Sequence, residues 1–463
     1  MFLNFKMKRI ISILILVFPL LCAAQDNNVV SRMIGNDRMG KKDSVANWTI
    51  HAQLTAIYEY HPSFRAAYSG INSLSSSANG ALSLTTTIFL GRKLWKGAAV
   101  YVNPELTGGQ GLSGAHGIAG FPNGDIYRVG SPIPTPFFAR VYLQQVIALG
   151  HSKYDVQASD KNQLGGKTPT SKIVLTLGKF GISDFFDGNT YSHDTRSQFM
   201  NWSLMASGSW DFPADVRGYT YGFVAELDKP LWAIRTAFVT EPTVANGPDL
   251  DLHVNKANSE TIEGERRWHV KGYLGVIRAT GFLAFTKAPK YTDATAALLK
   301  GDSTLEKIIA GTEEGYTYGS IKYGFGVNAE QELTDYVGIF MRANWSDGHT
   351  ATWAFTEIDN NVQAGMNMTG KLWKRPMDNW GVAITTNGLS MEHEQYLEAG
   401  GHGFIIGDGK LNYGRETAIE TYYKAQITSF IAVSPDYQFV LYPGYNKDRG
   451  PVHIVGVRVH FDI

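Results

Sequence analysis

An alternation of apolar and polar side chains along short segments constrains the fold of this chain more than any other feature of its sequence. In the final segment, "VHIVGVRVHFDI" (452–463), Val455 and Val457 fall on one side, whereas Arg458 and His460 fall on the other. Because successive side chains of a β-strand point to opposite faces, this segment predicts a strand with one apolar and one polar face.

The same period of two recurs almost throughout the chain, for example in "WTIHAQLTAIYEY" (48–60), "SIKYGFGVNAEQ" (320–331) and "DYVGIFMRANW" (335–345). Counting such segments gives about sixteen strands of roughly 9–14 residues, with eighteen as the alternative. The predicted strands begin near residues 47, 81, 98, 138, 172, 218, 231, 255, 272, 318, 336, 361, 380, 417, 431 and 452. Short turns such as 92–97 alternate with long connections such as 181–217.

Two architectures suit a run of antiparallel strands. A soluble sandwich buries its apolar faces against a second sheet, whereas an outer-membrane barrel turns them to lipid and encloses a polar interior. The strand lengths match a bilayer crossing, and aromatic residues such as Trp95, Trp232 and Trp345 lie near segment ends, as in interfacial girdles. We therefore predict an all-β transmembrane antiparallel barrel with long extracellular loops, which pairs every backbone group inside lipid.

The N-terminal residues predict export. Basic residues precede the apolar stretch "IISILILVFPLL" (10–21), and the small residues Cys22–Ala24 follow, which is typical of a cleaved signal peptide over 1–24. A lipid-modified Cys22 is the alternative, although Leu21 is larger than the residue that usually precedes such a cysteine. We expect a flexible periplasmic tail over 25–46 and a barrel domain over 47–463. A tail this short leaves no room for a plug domain, which favours passive diffusion.

Composition excludes several classes of function. The 42 basic and 42 acidic residues give a formal net charge of +0, so nucleic acid is not an expected partner. The single cysteine lies in the predicted signal peptide, so we expect no disulfide or thiolate metal site. "GQGLSG" (109–114) matches a dinucleotide fingerprint, but the Gly- and Pro-broken stretch after it does not predict the required helix. "MEHEQY" (391–396) lacks the spacing of metal ligands, so neither metal nor cofactor is predicted.

Several long stretches resemble the carbohydrate-selective porin family of Gram-negative outer membranes. They are "YHPSFRAAYSG" (60–70), "NPELTGGQGLSGAHGIAGFPNGD" (103–125), "NWSLMASGSWDFPADVRGYTYG" (201–222), "NAEQELTDYVGIFMRANWSDG" (328–348), "GGHGFIIGDGKLNYGRE" (400–416) and "YPGYNKDRGPV" (442–452). The resemblance implies a monomeric barrel of about sixteen strands in the outer membrane, surrounded by lipid, with small carbohydrates as the transported partners.

Charged residues on the polar faces and at strand ends are candidates for sugar contact. Arg65, Glu105 and Arg217 lie at predicted strand–loop junctions, with solvated rim charge as the alternative role. The predicted lumen face adds Arg140, Glu226, Arg235, Arg342, Asp436 and Arg458. Mixed charges supply dense donors and acceptors for sugar hydroxyls, and aromatic residues such as Tyr60, Phe121, Trp202 and Trp210 are candidates for stacking on a sugar ring.

The predicted function is passive, carbohydrate-selective diffusion through a water-filled barrel, with a general non-selective porin as the alternative. A barrel enzyme that hydrolyses lipid is a weaker hypothesis, resting on His51 and Ser83 in the first two predicted strands. Both residues fall on the predicted lumen face, where porins carry polar residues in any case. We therefore predict a channel rather than an enzyme.

Overall fold

The computed structural model describes residues 46–126 and 133–463 of the chain. The predicted signal peptide (1–24) and all but the last residue of the predicted tail (25–46) lie outside the described residues. Within the described residues the chain forms β1 Trp48–His61, β2 Asn79–Trp95, β3 Ala98–Gly109, β4 Thr135–Ala148, β5 Tyr154–Gln157, β6 Gly166–Pro169, β7 Lys172–Phe180, β8 Thr220–Lys229, β9 Trp232–Thr240, β10 Asn258–Val270, β11 Tyr273–Thr286, β12 Ser320–Thr334, β13 Val337–Ser346, β14 Asn360–Gly370, β15 Arg375–Gly388, β16 Glu416–Gln426, β17 Ile431–Leu441 and β18 Val452–Asp462.

All of these strands except β5 and β6 pair with their neighbours in one closed antiparallel barrel. The first strand pairs with the last, and Tyr58 lies opposite Val457 in that register. A closed ring leaves no strand edge without a hydrogen-bonding partner. The predicted barrel of sixteen strands is confirmed, and the alternative of eighteen is wrong because β5 and β6 form a separate hairpin.

The two faces of each strand meet different surroundings, as the alternation predicts. On β18 the side chain of Val457 is 46% exposed on the outside, whereas Arg458 is 1% exposed inside. On β12 the same division places Tyr323 and Phe325 outside and buries Lys322 within the barrel. The outer surface is therefore a largely apolar band, and the polar residues of the strands face the interior.

Connections at the two ends of the barrel differ in length. Six connections at one end have only two to four residues, namely 96–97, 230–231, 271–272, 335–336, 371–374 and 427–430. The seventh connection at that end spans 149–171 and contains the β5–β6 hairpin. The other end carries the long loops. In outer-membrane barrels the short turns face the periplasm, so the hairpin lies at the periplasmic mouth.

Among the described residues, the α-helices lie in the long loops. They span Trp202–Met205, Tyr291–Leu298, Thr304–Ile309 and Met391–Glu398, with 3₁₀ turns at Leu112–Gly114, Ile182–Asp184, Lys371–Trp373 and Pro443–Tyr445. In the parts of the chain that the structure describes, no helix has the length and apolar character to cross a bilayer.

The apolar core lies inside the barrel rather than between sheets. Side chains from several long loops pack together there, including Trp202, Phe212, Trp353, Phe355 and Tyr396. The backbone groups of loops that form no strand ladder must find hydrogen-bonding partners elsewhere. Because these loops occupy part of the interior, their arrangement determines which part of the lumen stays open.

The outward position of Val457 generates a test of membrane insertion. Val457 lies in the middle of β18, where a lysine facing hydrocarbon costs about 2–4 kcal/mol. We expect Val457→Lys to reduce the heat-modifiable, folded fraction recovered in outer membranes.

Gln144 is the matched control, because it is on β4 and lines the internal cavity described below. Gln144→Lys should assemble like the wild type. Normal assembly of Val457→Lys would contradict the assignment of the two faces.

Candidate functional site: a channel beside an inward-folded loop

The connection between β7 and β8 (residues 181–219), here called the inner loop, folds into the barrel instead of covering its mouth. Its aromatic residue Tyr191 approaches the wall so closely that a Cβ at Gly338 on β13 would lie 1.9 Å from the tyrosine ring. Glycine at position 338 therefore provides the space that this contact requires. Residue 338 lies near the periplasmic end of β13, so the inner loop reaches deep into the barrel.

Carboxylates of the wall accept hydrogen bonds from the backbone of the inner loop. Glu263 of β10 accepts from the Asp187 amide at 2.7 Å. Glu420 of β16 accepts from the amides of Met200 and Asn201 at 2.5 and 2.9 Å. Buried amides need such partners, and hydrogen bonds to charged acceptors are the stronger ones.

Arginines of the wall complement the carbonyl groups of the inner loop. Arg342 of β13 donates to the Ser192 carbonyl at 2.6 Å and to the Asp187 carboxylate at 3.0 Å. Arg458 of β18 donates to the Thr195 carbonyl at 2.6 Å. Both guanidinium groups are almost fully buried. The inner loop is thus fixed by residues of β10, β13, β16 and β18, and the part of the lumen beside β1–β4 stays open.

The open part of the lumen is a cavity of about 790 Å³ between the inner loop and strands β1–β4 and β8–β11. This volume is in the usual range for a small-molecule site. Its lining is rich in charged groups and contains aromatic rings. The charged side chains that line it are Glu105, Asp125, Arg140, Asp160, Lys161, Asp184, Asp194, Arg196, Arg217, Glu226, Arg235, Glu265 and Arg278.

A network of ion pairs covers the strand side of the cavity. Arg235 of β9 contacts Glu226 of β8 at 3.0 Å and Glu263 and Glu265 of β10 at 2.9 and 3.0 Å. Arg278 of β11 also contacts Glu265, at 2.9 Å. Because each charge has an opposite partner, this wall presents closely spaced donors and acceptors without a large excess of one sign.

A second ion pair joins β4 to the start of the inner loop, just beyond the end of the neighbouring strand β7. The Arg140 guanidinium on β4 donates two hydrogen bonds to the Asp184 carboxylate, each 2.6 Å long. The fork geometry of arginine favours this two-point contact with a carboxylate. Both residues line the cavity, so this pair forms part of the channel lining.

Arg196 of the inner loop forms a third charged contact. It contacts Asp125 at 2.7 Å and Glu105 at 3.5 Å. Burial raises the pKa of the Asp125 carboxyl, whereas the charge of Arg196 acts in the opposite direction. Burial and then the charge of Glu105 raise the pKa of Tyr219, so its hydroxyl stays protonated and donates to Glu105 at 3.0 Å.

Aromatic residues form the remaining lining of the cavity. Phe185, beside Asp184 on the inner loop, is only half-buried and packs edge-on against Phe180 with ring centres 5.1 Å apart. Trp202, Phe212 and Phe355 line another part of the cavity and are stacked on one another. These three rings are mostly buried, so Phe185 offers the more accessible apolar surface.

The structure brings five of the predicted sugar-contacting residues together. Glu105, Arg140, Arg217, Glu226 and Arg235 all line the cavity. Their contact with sugar stays a prediction, but their shared location is consistent with the lumen-facing pattern read from the sequence.

The other four predicted residues do not line the cavity. Arg65 is exposed in the loop between β1 and β2. Arg342, Asp436 and Arg458 face the interior as expected, but all three are buried. The inner loop covers this part of the wall, and Arg342 and Arg458 bind that loop. Among the stacking candidates, Tyr60 faces outward, with 37% of its surface exposed, and cannot reach the lumen.

Several residues that line the cavity are not among the sugar-contacting residues predicted from the sequence. Glu265 and Arg278 follow the two-residue alternation of β10 and β11, so the alternation indicates that both face the interior. In β10 the alternation is hard to recognise, because the charged residues Glu260 and Arg266 lie on its outer face. Asp184 and Arg196 lie in irregular parts of the inner loop, where no periodicity indicates which side chains meet the channel.

The weaker enzymatic hypothesis finds no matching geometry. Ser83 lies opposite Ile57 in the β1–β2 register, six residues along the strand from His51, which corresponds to roughly 20 Å. His51 instead contacts Ser159, with its Nε2 3.2 Å from the serine hydroxyl.

The two motifs considered for ligands have structural roles. "GQGLSG" ends β3 and forms a 3₁₀ turn at Leu112–Gly114. The "MEHEQY" segment forms a helix, in which buried His393 contacts Asp359 at 2.9 Å. Among residues 46–126 and 133–463, no group of three or more metal-ligating side chains of the His, Cys, Asp and Glu types is assembled.

A closed barrel with an apolar outer band, a polar interior and an inward-folded loop beside a water-accessible cavity defines a porin, a diffusion channel of the outer membrane.

The comparisons with known proteins assign this porin to a family. The family model of the carbohydrate-selective porin OprB family matches residues 78–463. No curated protein sequence matches the chain. The chain therefore belongs to the carbohydrate-selective porin OprB family. It is a sugar-selective outer-membrane channel and not an enzyme, which confirms the predicted family, function and location.

Two solved structures are similar to this chain, and the first of them supports the same fold. A high-pH structure of Pseudomonas putida OprB has a TM-score of 0.67 and 15% identity, covering 90% of this chain and 94% of that chain. Acinetobacter baumannii OccAB1 gives a TM-score of 0.47 and 10% identity, covering 93% of this chain and 99% of that chain. At these identities the likeness concerns the fold alone.

The contacts of Arg342 predict that it fixes the inner loop. Replacing it with methionine removes the hydrogen bonds to the Ser192 carbonyl and leaves the Asp187 carboxylate without its cationic partner. Breaking a buried pair in this way costs about 3–5 kcal/mol. We expect Arg342→Met channels to show a larger and noisier single-channel current in planar bilayers.

Arg65→Met is the control, because Arg65 is exposed far from the cavity lining, and it should conduct like the wild type. A steady, wild-type current from Arg342→Met would contradict the role of Arg342 as an anchor of the inner loop.

Proposed function

We propose that small neutral carbohydrates cross the membrane through the cavity between the inner loop and the strand wall. The contacting residues in this proposal are Glu105, Arg140, Arg217, Glu226 and Arg235, joined by Asp184, Phe185, Arg196 and Arg278. The observation that carries the proposal is that paired charges and a half-exposed aromatic ring line one continuous cavity.

The chemistry of a sugar matches this lining. A sugar must exchange its hydration hydrogen bonds for others as it enters a narrow channel. Arginine forks and carboxylates supply donors and acceptors for hydroxyl groups, and each net hydrogen bond contributes about 0.5–1.5 kcal/mol. The ring of Phe185 offers an apolar surface for the CH face of the sugar.

The pairing of the charges also keeps binding weak. Arg235 already contacts three carboxylates, so a sugar hydroxyl competes with existing contacts instead of filling an empty site. Conduction requires release as well as entry. A lining of satisfied ion pairs therefore suits passive diffusion better than a site with unpaired charges.

Two properties of the assembly belong to the same proposal. The outer apolar band contacts the acyl chains of the outer-membrane lipid. Each chain encloses its own cavity, and we take the monomer as the functional unit. In this proposal the barrel domain spans 47–463, residues 1–24 are a signal peptide, and residues 25–46 are a periplasmic tail. Light scattering in detergent would measure the oligomeric state directly.

Sugar-dependent block of the ionic current tests the proposed path. Maltose should reduce the single-channel current of the wild type in planar bilayers, because bound sugar displaces ions from the cavity. Phe185→Ala should weaken that block about two- to ten-fold, since an aromatic contact of this kind contributes about 0.5–1.5 kcal/mol.

Phe223→Ala is the matched control, because Phe223 is on β8 with its ring on the outer surface. The control should retain wild-type block. A wild-type current that is indifferent to maltose, glucose and other neutral sugars would favour the general porin instead. Equal block of Phe185→Ala and the wild type would place the sugar path elsewhere in the lumen.

A further inference from the structure

The β5–β6 hairpin breaks the pattern of the periplasmic end. Its connection has 23 residues (149–171), whereas the other six have two to four. The residues between its two strands (158–165), here called the periplasmic turn, do not extend away from the barrel. They fold into the mouth, and Asp160, Lys161 and Asn162 line the same cavity as the ion pairs of the channel.

Contacts with two strands and with the apolar core hold the periplasmic turn in place. The Ser159 hydroxyl lies 2.7 Å from the Thr49 hydroxyl of β1. The side-chain amides of Asn162 and Asn103 of β3 donate to each other at 2.9 and 3.0 Å. Leu164 is buried in the apolar core. Fixing a polar turn costs conformational entropy, and these contacts offset that cost.

Lys161 projects its ammonium group toward the channel from this fixed position. Its Nζ lies 2.7 Å from the Asp462 carboxylate of β18 and 3.2 Å from the Gln53 amide oxygen of β1. The lysine side chain is 29% exposed and the aspartate 43%. An ion pair with this much water access adds little stability, so either partner can exchange it for a sugar hydroxyl at little cost.

We propose that the periplasmic turn forms a second sugar-contacting station at the exit of the channel, with Lys161 as its specificity-determining residue. This inference rests on the proposed sugar path. Lys161 donates to a hydroxyl of the sugar, while Asp462 and Asn162 supply neighbouring acceptors and donors. A sugar leaving the ion pairs of the inner loop passes this station before it reaches the periplasm.

The chemistry of the station favours a neutral, hydroxyl-rich solute. Lys161 and Asp462 carry opposite charges, so the pair does not attract one ion strongly. A sugar with adjacent hydroxyls can bridge the two groups, donating to the carboxylate and accepting from the ammonium. A solute of the same size without hydroxyls would separate the two charges without replacing their contact.

Current fluctuations with maltose added to one side of the bilayer at a time test this inference. The side facing the short turns is the one affected by Lys161. For Lys161→Ala we expect the maltose association rate to fall about three- to ten-fold from one side only, since the net contribution of one hydrogen bond to the sugar is lost. Lys161→Arg should restore most of the rate, because arginine keeps the charge and the donors.

Lys153→Ala is the matched control, because Lys153 belongs to the same connection but is exposed and outside the cavity lining. Equal rates for Lys161→Ala and Lys153→Ala would overturn the inference while leaving the sugar path intact. An equal loss from both sides would also overturn it, since that result indicates a turn that only supports the barrel. A wild type without maltose block would instead refute the proposed function itself.

Discussion

Inside a membrane, every backbone amide and carbonyl needs a hydrogen-bonding partner within the protein, and this requirement governs the whole structure. The pairing of β1 with β18 meets it by closing the sheet. Closure in turn separates the side chains into an outer set that meets lipid and an inner set that meets water. Once the ring is closed, a polar interior is available for loops, ions and solutes.

The same requirement applies to the inner loop, which has no strand neighbours inside the lumen. Side chains of the wall act as its hydrogen-bonding partners instead. Glu263 and Glu420 accept from its amides, whereas Arg342 and Arg458 donate to its carbonyl groups. The charged residues of the interior therefore divide into two groups. Those on β12–β18, together with Glu263 of β10, mainly hold the loop. The remaining ones, on β3, β4 and β8–β11, line the channel that the loop leaves open.

The sequence was sufficient for the barrel, because alternation reports directly which solvent each side chain meets. Val457 and Arg458 differ in exposure as their positions in the pattern require. Alternation cannot tell whether an inward residue meets water or a loop. Arg342 and Arg235 both occupy inward-facing positions of the alternation, yet only Arg235 lines the cavity. That difference depends on the path of residues 181–219, which carry no period.

The periplasmic hairpin shows a second limit of the same kind. The strands β5 and β6 have four residues each, too few for a periodic signal, so 149–171 contains no predicted strand. The role of Lys161 becomes visible only through its distances to Asp462 and Gln53. Features built on a regular ladder were thus predictable, whereas features built on single long-range contacts were not.

A crystal structure of the protein soaked with maltose tests most directly the claim that the inner loop leaves a sugar path along the strand wall. The account predicts sugar density in the cavity, within hydrogen-bonding distance of Arg140 or Arg235 and against the ring of Phe185. Sugar bound on the other side of the inner loop, against β13–β18, would contradict it.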